Sequence, residues 1–239
     1  MKPSVRNSLG AAWIGLALCL TAADFSADAM EPQTLFNFQD GLSGAHPRGG
    51  LIIGPDGNFY GTNQDGGTNN AGTIFRLTAD GVFTSLFSFN TTNGASPQAG
   101  LVLGKDGNLY GTTAFGGDRG SGTVFRFGTN GTLTRLGSLG GTNGAHPQCQ
   151  LVMDADGNFY GTAPDGPNSF GTVFRLATNG VLSTLVPFNL NDGSSPQCDG
   201  LALGNDGNLY GDVCRLPNVL QRNDLQGYSQ RCLDVIVLL

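Results

Sequence analysis

The residues best suited to chemistry in this sequence recur at fixed positions. Asp154-Ala155-Asp156-Gly157-Asn158 sets three oxygen-bearing side chains at alternate positions, the way an oxygen-liganded calcium loop begins. The three sister turns carry Gly54, Gly104 and Gly204 where Asp154 stands, and no glutamate closes the loop. A hairpin turn explains Asp-Gly-Asn without any metal, so calcium is kept as a candidate cofactor for Asp154, Asp156 and Asn158 alone. Arg76, Arg126, Arg175 and Arg215 fall at one repeated position, and Tyr60, Tyr110, Tyr160 and Tyr210 at another. A ring of arginines around a channel could hold an anion, and tyrosines could stack on sugars. Residues repeated in every copy more often serve the repeat's own packing, with each Arg paired to an Asp and each Tyr between sheets.

His46 and His146 share a Gly-Ala-His-Pro string, replaced by Ser96 and Ser195 in the other copies. No Gly-x-Ser-x-Gly elbow accompanies them, so they read as corner residues rather than parts of a catalytic triad. Cys149 and Cys198 occupy one repeated position, while Cys214 and Cys232 lie further on. Four cysteines allow three pairings. Cys198 with Cys214, both in the last repeat, is the expected pair, and the spacing fits no zinc finger or ribbon.

The elements that position these residues follow from a period of fifty. Asp-Gly-Asn-(Phe/Leu)-Tyr-Gly occurs at Asp56–Gly61, Asp106–Gly111, Asp156–Gly161 and Asp206–Gly211. Gly-Thr-(Ile/Val)-Phe-Arg starts at Gly72, Gly122 and Gly171, and Gly-(Ala/Ser)-(His/Ser)-Pro at Gly44, Gly94, Gly144 and Gly193. Asp-Gly and Asn-Gly between short apolar runs are hairpin signals, and nothing in the unit has helical spacing. Two hairpins per repeat make a four-stranded antiparallel sheet, the blade of a β-propeller. Leu35–Phe38 matches a fourth strand, and Gly211–Leu216 reads as the third strand of the last copy. The expectation is an all-β propeller of about four blades, with the N-terminal strand completing the last blade and hiding its edges.

Composition agrees with such a fold. Of 239 residues, 39 are Gly and 11 Pro, and only 13% are charged, which excludes a charged coiled coil or a solvated tail. The net charge is −6 and Lys occurs only at Lys2 and Lys105, so the chain lacks the basic face that nucleic acid requires. Residues 1–29 read as a signal peptide: basic Lys2 and Arg6, an apolar stretch from Leu9 to Ala23, and Ala27-Asp28-Ala29 as the cleavage site. A lipoprotein signal at Cys19 would want a small residue at Leu18. The repeat domain then covers 30–216, and 217–239 form a tail without repeats, in which Leu233–Leu239 is too short to span a bilayer and reads as one more strand. Export would place the cysteines in a compartment where disulfides persist.

The strings Gly-x-Asp-Gly-Asn-Leu-Tyr-Gly-Thr and Gly-Thr-Val-Phe-Arg-Leu resemble the choice-of-anchor tandem repeat family called GloVer, over about Leu35 to Leu216. Asp-Gly-Asn-Leu-Tyr is also distantly similar to NHL-type propeller repeats. The resemblance implies an exported, surface-associated bacterial protein whose C-terminal anchor varies between members, and it carries over no established activity. The tail here carries no sorting signal.

Function in repeat proteins sits where copies differ. The expectation is therefore a secreted or cell-surface, non-enzymatic module with a polysaccharide or protein partner and no membrane span once the signal is removed. Phe115 and Phe170, in the variable loops, are its candidate ligand contacts. The alternatives are a propeller enzyme, such as a polysaccharide lyase or a calcium-dependent hydrolase, and a truncated copy without a function of its own.

Overall fold

Each Asp-Gly-Asn string is a tight reversal between two antiparallel strands. In the first, Gly54 N–H donates to Asn58 O and Gly57 N–H to Gly54 O, at 2.8 and 3.0 Å. The computed structural model describes residues 34–38, 41, 43–189, 194–215 and 231–237, so the expected signal peptide lies outside the described residues.

Three four-stranded sheets run in chain order, each an antiparallel meander. The first holds β1 (Ile52–Ile53), β2 (Phe59–Asn63), β3 (Thr73–Leu77) and β4 (Phe83–Ser88). The second holds β5 (Val102–Leu103), β6 (Leu109–Thr113), β7 (Thr123–Phe127) and β8 (Leu133–Ser138), and the third β9 (Val152–Met153), β10 (Phe159–Ala163), β11 (Thr172–Leu176) and β12 (Leu182–Pro187). All three carry a register shift at the same place in the outer pair, such as Ile74/Phe75. The architecture is all-β and propeller-like, as the repeat period predicts.

The last sheet departs from expectation. It has three strands, β13 (Ser194–Leu203), β14 (Leu209–Arg215) and β15 (Arg231–Val237). Residues 211–215 continue the second strand instead of forming the third, and the third comes from the tail. Leu35–Phe38 joins none of the four sheets. It still sits where a preceding outer strand would: Phe38 lies edge-on to Phe75 at 5.0 Å, as Phe89 does to Phe125 at 5.1 Å. The sequence match to a fourth strand thus reported side-chain packing, which the missing backbone pairing does not disturb.

The core is divided among the junctions between sheets. Ile74 and Phe89 of the first repeat bury against Leu101, Leu109 and Phe125 of the second. Val124 and Leu139 do so against Leu151, Phe159 and Phe174, and Val173 and Phe188 against Leu209. Each wholly buried Phe contributes about 1.5–3 kcal/mol by leaving water. Three such cores join four sheets among the described residues. On the first sheet Leu51 and Ile53 are 53% and 60% exposed, whereas the equivalent Leu101 and Leu151 are 0% and 3% exposed.

Corners fasten one sheet to the next. Ser96 N–H donates to Ala71 O and His146 N–H to Ser121 O, at 2.8 and 2.9 Å. The residues at this corner, His46, Ser96 and His146, all take the left-handed conformation, with φ of 53–56°. The strings Gly-Ala-His-Pro and Gly-Ala-Ser-Pro are therefore latches between sheets. Among the described residues no helix is long and apolar enough to cross a membrane.

Candidate functional site

The repeated polar residues serve the sheets. Asp56 accepts from the side chains of Asn58 and Tyr60 at 2.7 and 2.9 Å and from Asn58 N–H at 3.2 Å. Asp106 and Asp206 repeat the arrangement. In the third repeat Asp154 takes over this role. Its Oδ1 accepts from the N–H groups of Asp156 and Asn158 at 2.8 and 2.9 Å, and its Oδ2 from Asn158 Nδ2 and the Tyr160 hydroxyl at 2.8 and 2.9 Å. Asn158 Oδ1 accepts from Thr178 N–H, and Asp156 is left exposed. Both Asp154 oxygens and the Asn158 side-chain carbonyl are thus engaged by donors, an arrangement that locks the turn. Among the described residues no three His, Cys, Asp or Glu side chains cluster as metal ligands.

These hydrogen bonds tune the carboxylates. Asn58 above all holds Asp56 below the usual aspartate range. For Asp106 and Asp154 burial is the largest single influence and pushes upward, but the combined hydrogen bonds outweigh it and the net direction is down. A carboxylate depressed in the folded chain contributes stability above its unfolded value, and that stability is lost as pH falls through the lower folded one. The urea midpoint should therefore hold from pH 7 to about 5 and decline below about 3.9, the unfolded value. Asp154→Asn should make that decline shallower. A midpoint indifferent to pH 2–4 would mean the turns do not couple to folding.

Arg76, Arg126 and Arg175 stand opposite Tyr60, Tyr110 and Tyr160 across neighbouring strands. They line clefts between neighbouring sheets: Arg126 shares its cleft with Tyr110 and Phe159, whose rings stack at 4.2 Å. Lys105 Nζ crosses that cleft to the Ala155 carbonyl. The expected Arg–Asp pairing is replaced by Arg beside Tyr, because the described ion pairs are His46–Asp65, Arg135–Asp118 and His146–Asp165. The side chain of Arg215 falls outside the described residues.

What the copies do not share lies on the corner-bearing face. His46 Nδ1 meets Asp65 Oδ2 at 2.9 Å, and His146 Nδ1 meets Asp165 Oδ2 at 2.7 Å. The second repeat has Ser96 and Phe115 at the same two positions. Phe115 is 46% exposed, and its ring lies 5.0 Å from the His146 imidazole at a 56° tilt. The same loop is braced by Arg135, which donates to Asp118 Oδ1 at 2.8 Å and Thr92 O at 3.0 Å. Phe170 is half-buried and packs on the third core, so only Phe115 of the two candidate aromatics offers an open ring.

Two residues beyond the corners, the chain lines a polar hollow of about 400 Å³ with Arg48, Gln98, Gln148 and Gln150. Glycine is required there: a Cβ on Gly49 would run into the Gly100 backbone nitrogen. Gln150 donates to Leu101 O at 2.9 Å, fixing one wall. The sequence reading missed the His–Asp pairs and this hollow. The signal for the pairs was present, since Asp65 and Asp165 occur in the copies that carry His and Phe115 in the copy that carries Ser96.

The profile of the Gloeobacter/Verrucomicrobia repeat matches residues 21–216. The chain belongs to this family. No curated protein matches the Gloeobacter/Verrucomicrobia repeat chain in sequence. Among solved structures it is similar to virginiamycin B lyase from Staphylococcus aureus, with TM-score 0.52 and 17% identity, covering 70% of this chain and 48% of that one. It is similar to a putative gluconolactonase with TM-score 0.50 and 19% identity, over 71% of this chain and 57% of the other. A gluconolactonase from Xanthomonas campestris matches with TM-score 0.50 and 15% identity, over 73% and 57%. These likenesses concern the fold of the Gloeobacter/Verrucomicrobia repeat chain, which spans about half the length of the structures it matches.

Proposed function

We propose that this protein is an exported, non-enzymatic binding module that takes polysaccharide on its corner-bearing face. The observation that carries the reading is Phe115: an open aromatic ring held against the Asp165-bonded His146, on a loop braced by Arg135. An exposed ring of this kind offers sugar C–H groups a flat apolar partner, and the adjacent imidazole and carboxylate offer hydroxyl groups hydrogen bonds. The hollow beside Gln98 and Gln148 would seat further hydroxyls. Residues 1–29 support export, and the acidic balance supports a partner other than nucleic acid.

The test is a glycan array probed with the chain from Met30 onward, followed by calorimetry on the best ligand and analysis of that ligand for cleavage. Phe115→Ala should weaken binding about tenfold or more, equivalent to roughly 1.4 kcal/mol, with the melting temperature unchanged. Unaltered affinity in Phe115→Ala would move the site elsewhere. Release of shortened glycan would replace the binding reading with the enzymatic one.

A further inference from the structure

The third strand of the last sheet comes from a segment with no counterpart in the other repeats, yet it takes their register. In the first sheet Gly61 pairs with Phe75 and Thr62 with Ile74. In the last, Gly211 pairs with Val235 and Asp212 with Asp234. The same ladder continues to Val213↔Leu233, Cys214↔Cys232 and Arg215↔Arg231. Cys214, at the end of the repeat domain, and Cys232, in the tail, are thus set directly opposite one another on neighbouring antiparallel strands.

Directly opposed residues in an antiparallel pair share a face of the sheet, with Cα atoms about 4.5 or 5.5 Å apart depending on the hydrogen-bonding position. A disulfide requires Cα atoms about 4.4–6.8 Å apart, so either position meets the requirement without backbone movement. Cys198 has no such placement. On its other edge Cys214 stands opposite Ser194, and the register of β13 is interrupted between Pro196 and Leu201, where Cys198 falls. Cys149 belongs to the third repeat, ahead of β9.

We propose that Cys214 and Cys232 form a cross-strand disulfide that fastens the substitute third strand to the last sheet. The two thiols lose two protons and two electrons to an acceptor disulfide, which leaves as two thiols: oxidised glutathione in vitro, or a disulfide-bearing oxidase where the chain folds. The two cysteines lie further apart in sequence than the ends of residues 64–72, which join β2 to β3 in the first repeat. That strand enters the sheet without the Thr-Ile-Phe-Arg-Leu side chains that hold β3, and a covalent tie compensates for them.

Peptide mapping decides the matter. The chain from Met30, folded in glutathione buffer, is unfolded, alkylated without reductant and cut with trypsin and an aspartate-directed protease. Cleavage separates Cys214, on residues 212–215, from Cys198, and leaves Cys232 on residues 232–233. The expected product is 212–215 linked to 232–233, disappearing on reduction. Cys214→Ser should render Cys232 fully alkylatable, and Cys232→Ser should do the same for Cys214. Alkylated Cys214 or Cys232 in the unreduced wild-type chain, or either one linked to Cys149 or Cys198, overturns the proposal. The wild-type map stands on its own should a serine variant fail to fold.

Discussion

Replacing Phe125 with alanine is expected to lower the unfolding free energy by about 3–5 kcal/mol. Phe125 is wholly buried between the first and second sheets, edge-on to Phe89 and packed with Ile74 and Leu101. Ile74 lies within β3, and Phe89 and Leu101 directly flank β4 and β5, so the space collapses little and the cavity cost is added to the lost transfer energy. Urea unfolding followed by tyrosine fluorescence measures it. For comparison, Phe115→Ala removes a half-exposed ring and should change stability by less than about 1 kcal/mol. A Phe125 variant that loses under 1 kcal/mol would show that this junction contributes little to holding neighbouring sheets together.

The second large effect is expected at Gly122, two residues beyond Gly120. Both glycines have positive φ, 105° and 71°. Around Gly120 nothing lies within 4 Å of a notional Cβ, so Gly120→Ala meets only left-handed backbone strain, about 1–2 kcal/mol. At Gly122 the same methyl would strike the Thr113 carbonyl oxygen and approach Pro147 Cδ to 2.9 Å. Overpacking adds about 1–3 kcal/mol to the strain. Because Pro147 belongs to the corner of the next repeat, Gly122→Ala should also loosen the latch between the second and third sheets. Urea midpoints of the two variants provide the comparison. Equal losses would mean that the corner yields to the methyl and is no latch.

Much of this could be read in the sequence because backbone requirements repeat where side chains vary. The Asp-Gly-Asn turns, the strands beginning at Phe59 or Thr73 and the Phe residues between sheets recur every fifty positions, and each recurrence reports the same local demand. The sequence reads Leu233–Leu239 as one more strand, but its place as the third strand of the last sheet escaped, because Leu233-Asp234-Val235-Ile236-Val237 shares its register with Thr73–Leu77 but none of its motif. Pairing is a backbone property, and sequence strings do not encode it. Asp154 was legible as an unusual residue but not as a replacement. It differs from Asp56 in lying two positions earlier in the turn, and only the shared Tyr–Asn partners show that both carboxylates do one task. The His–Asp pairs span nineteen residues across two loops, a distance over which spacing alone carries no geometry. The same holds for the hollow, whose walls come from corners fifty residues apart.

Among the described residues, three junctions for four sheets give the chain a direction of unravelling. The second and third sheets are each held from both sides, while the first keeps Leu51 and Ile53 in water and the last is held by a single core. A stack with nearest-neighbour coupling frays from its ends and opens last in the middle. Amide exchange should accordingly be fastest at the first and last sheets and slowest around Phe125 and Phe174. Phe115 and His146 bridge the loops of the two interior sheets, so the candidate ligand surface sits on the part of the chain that stays assembled while either end breathes.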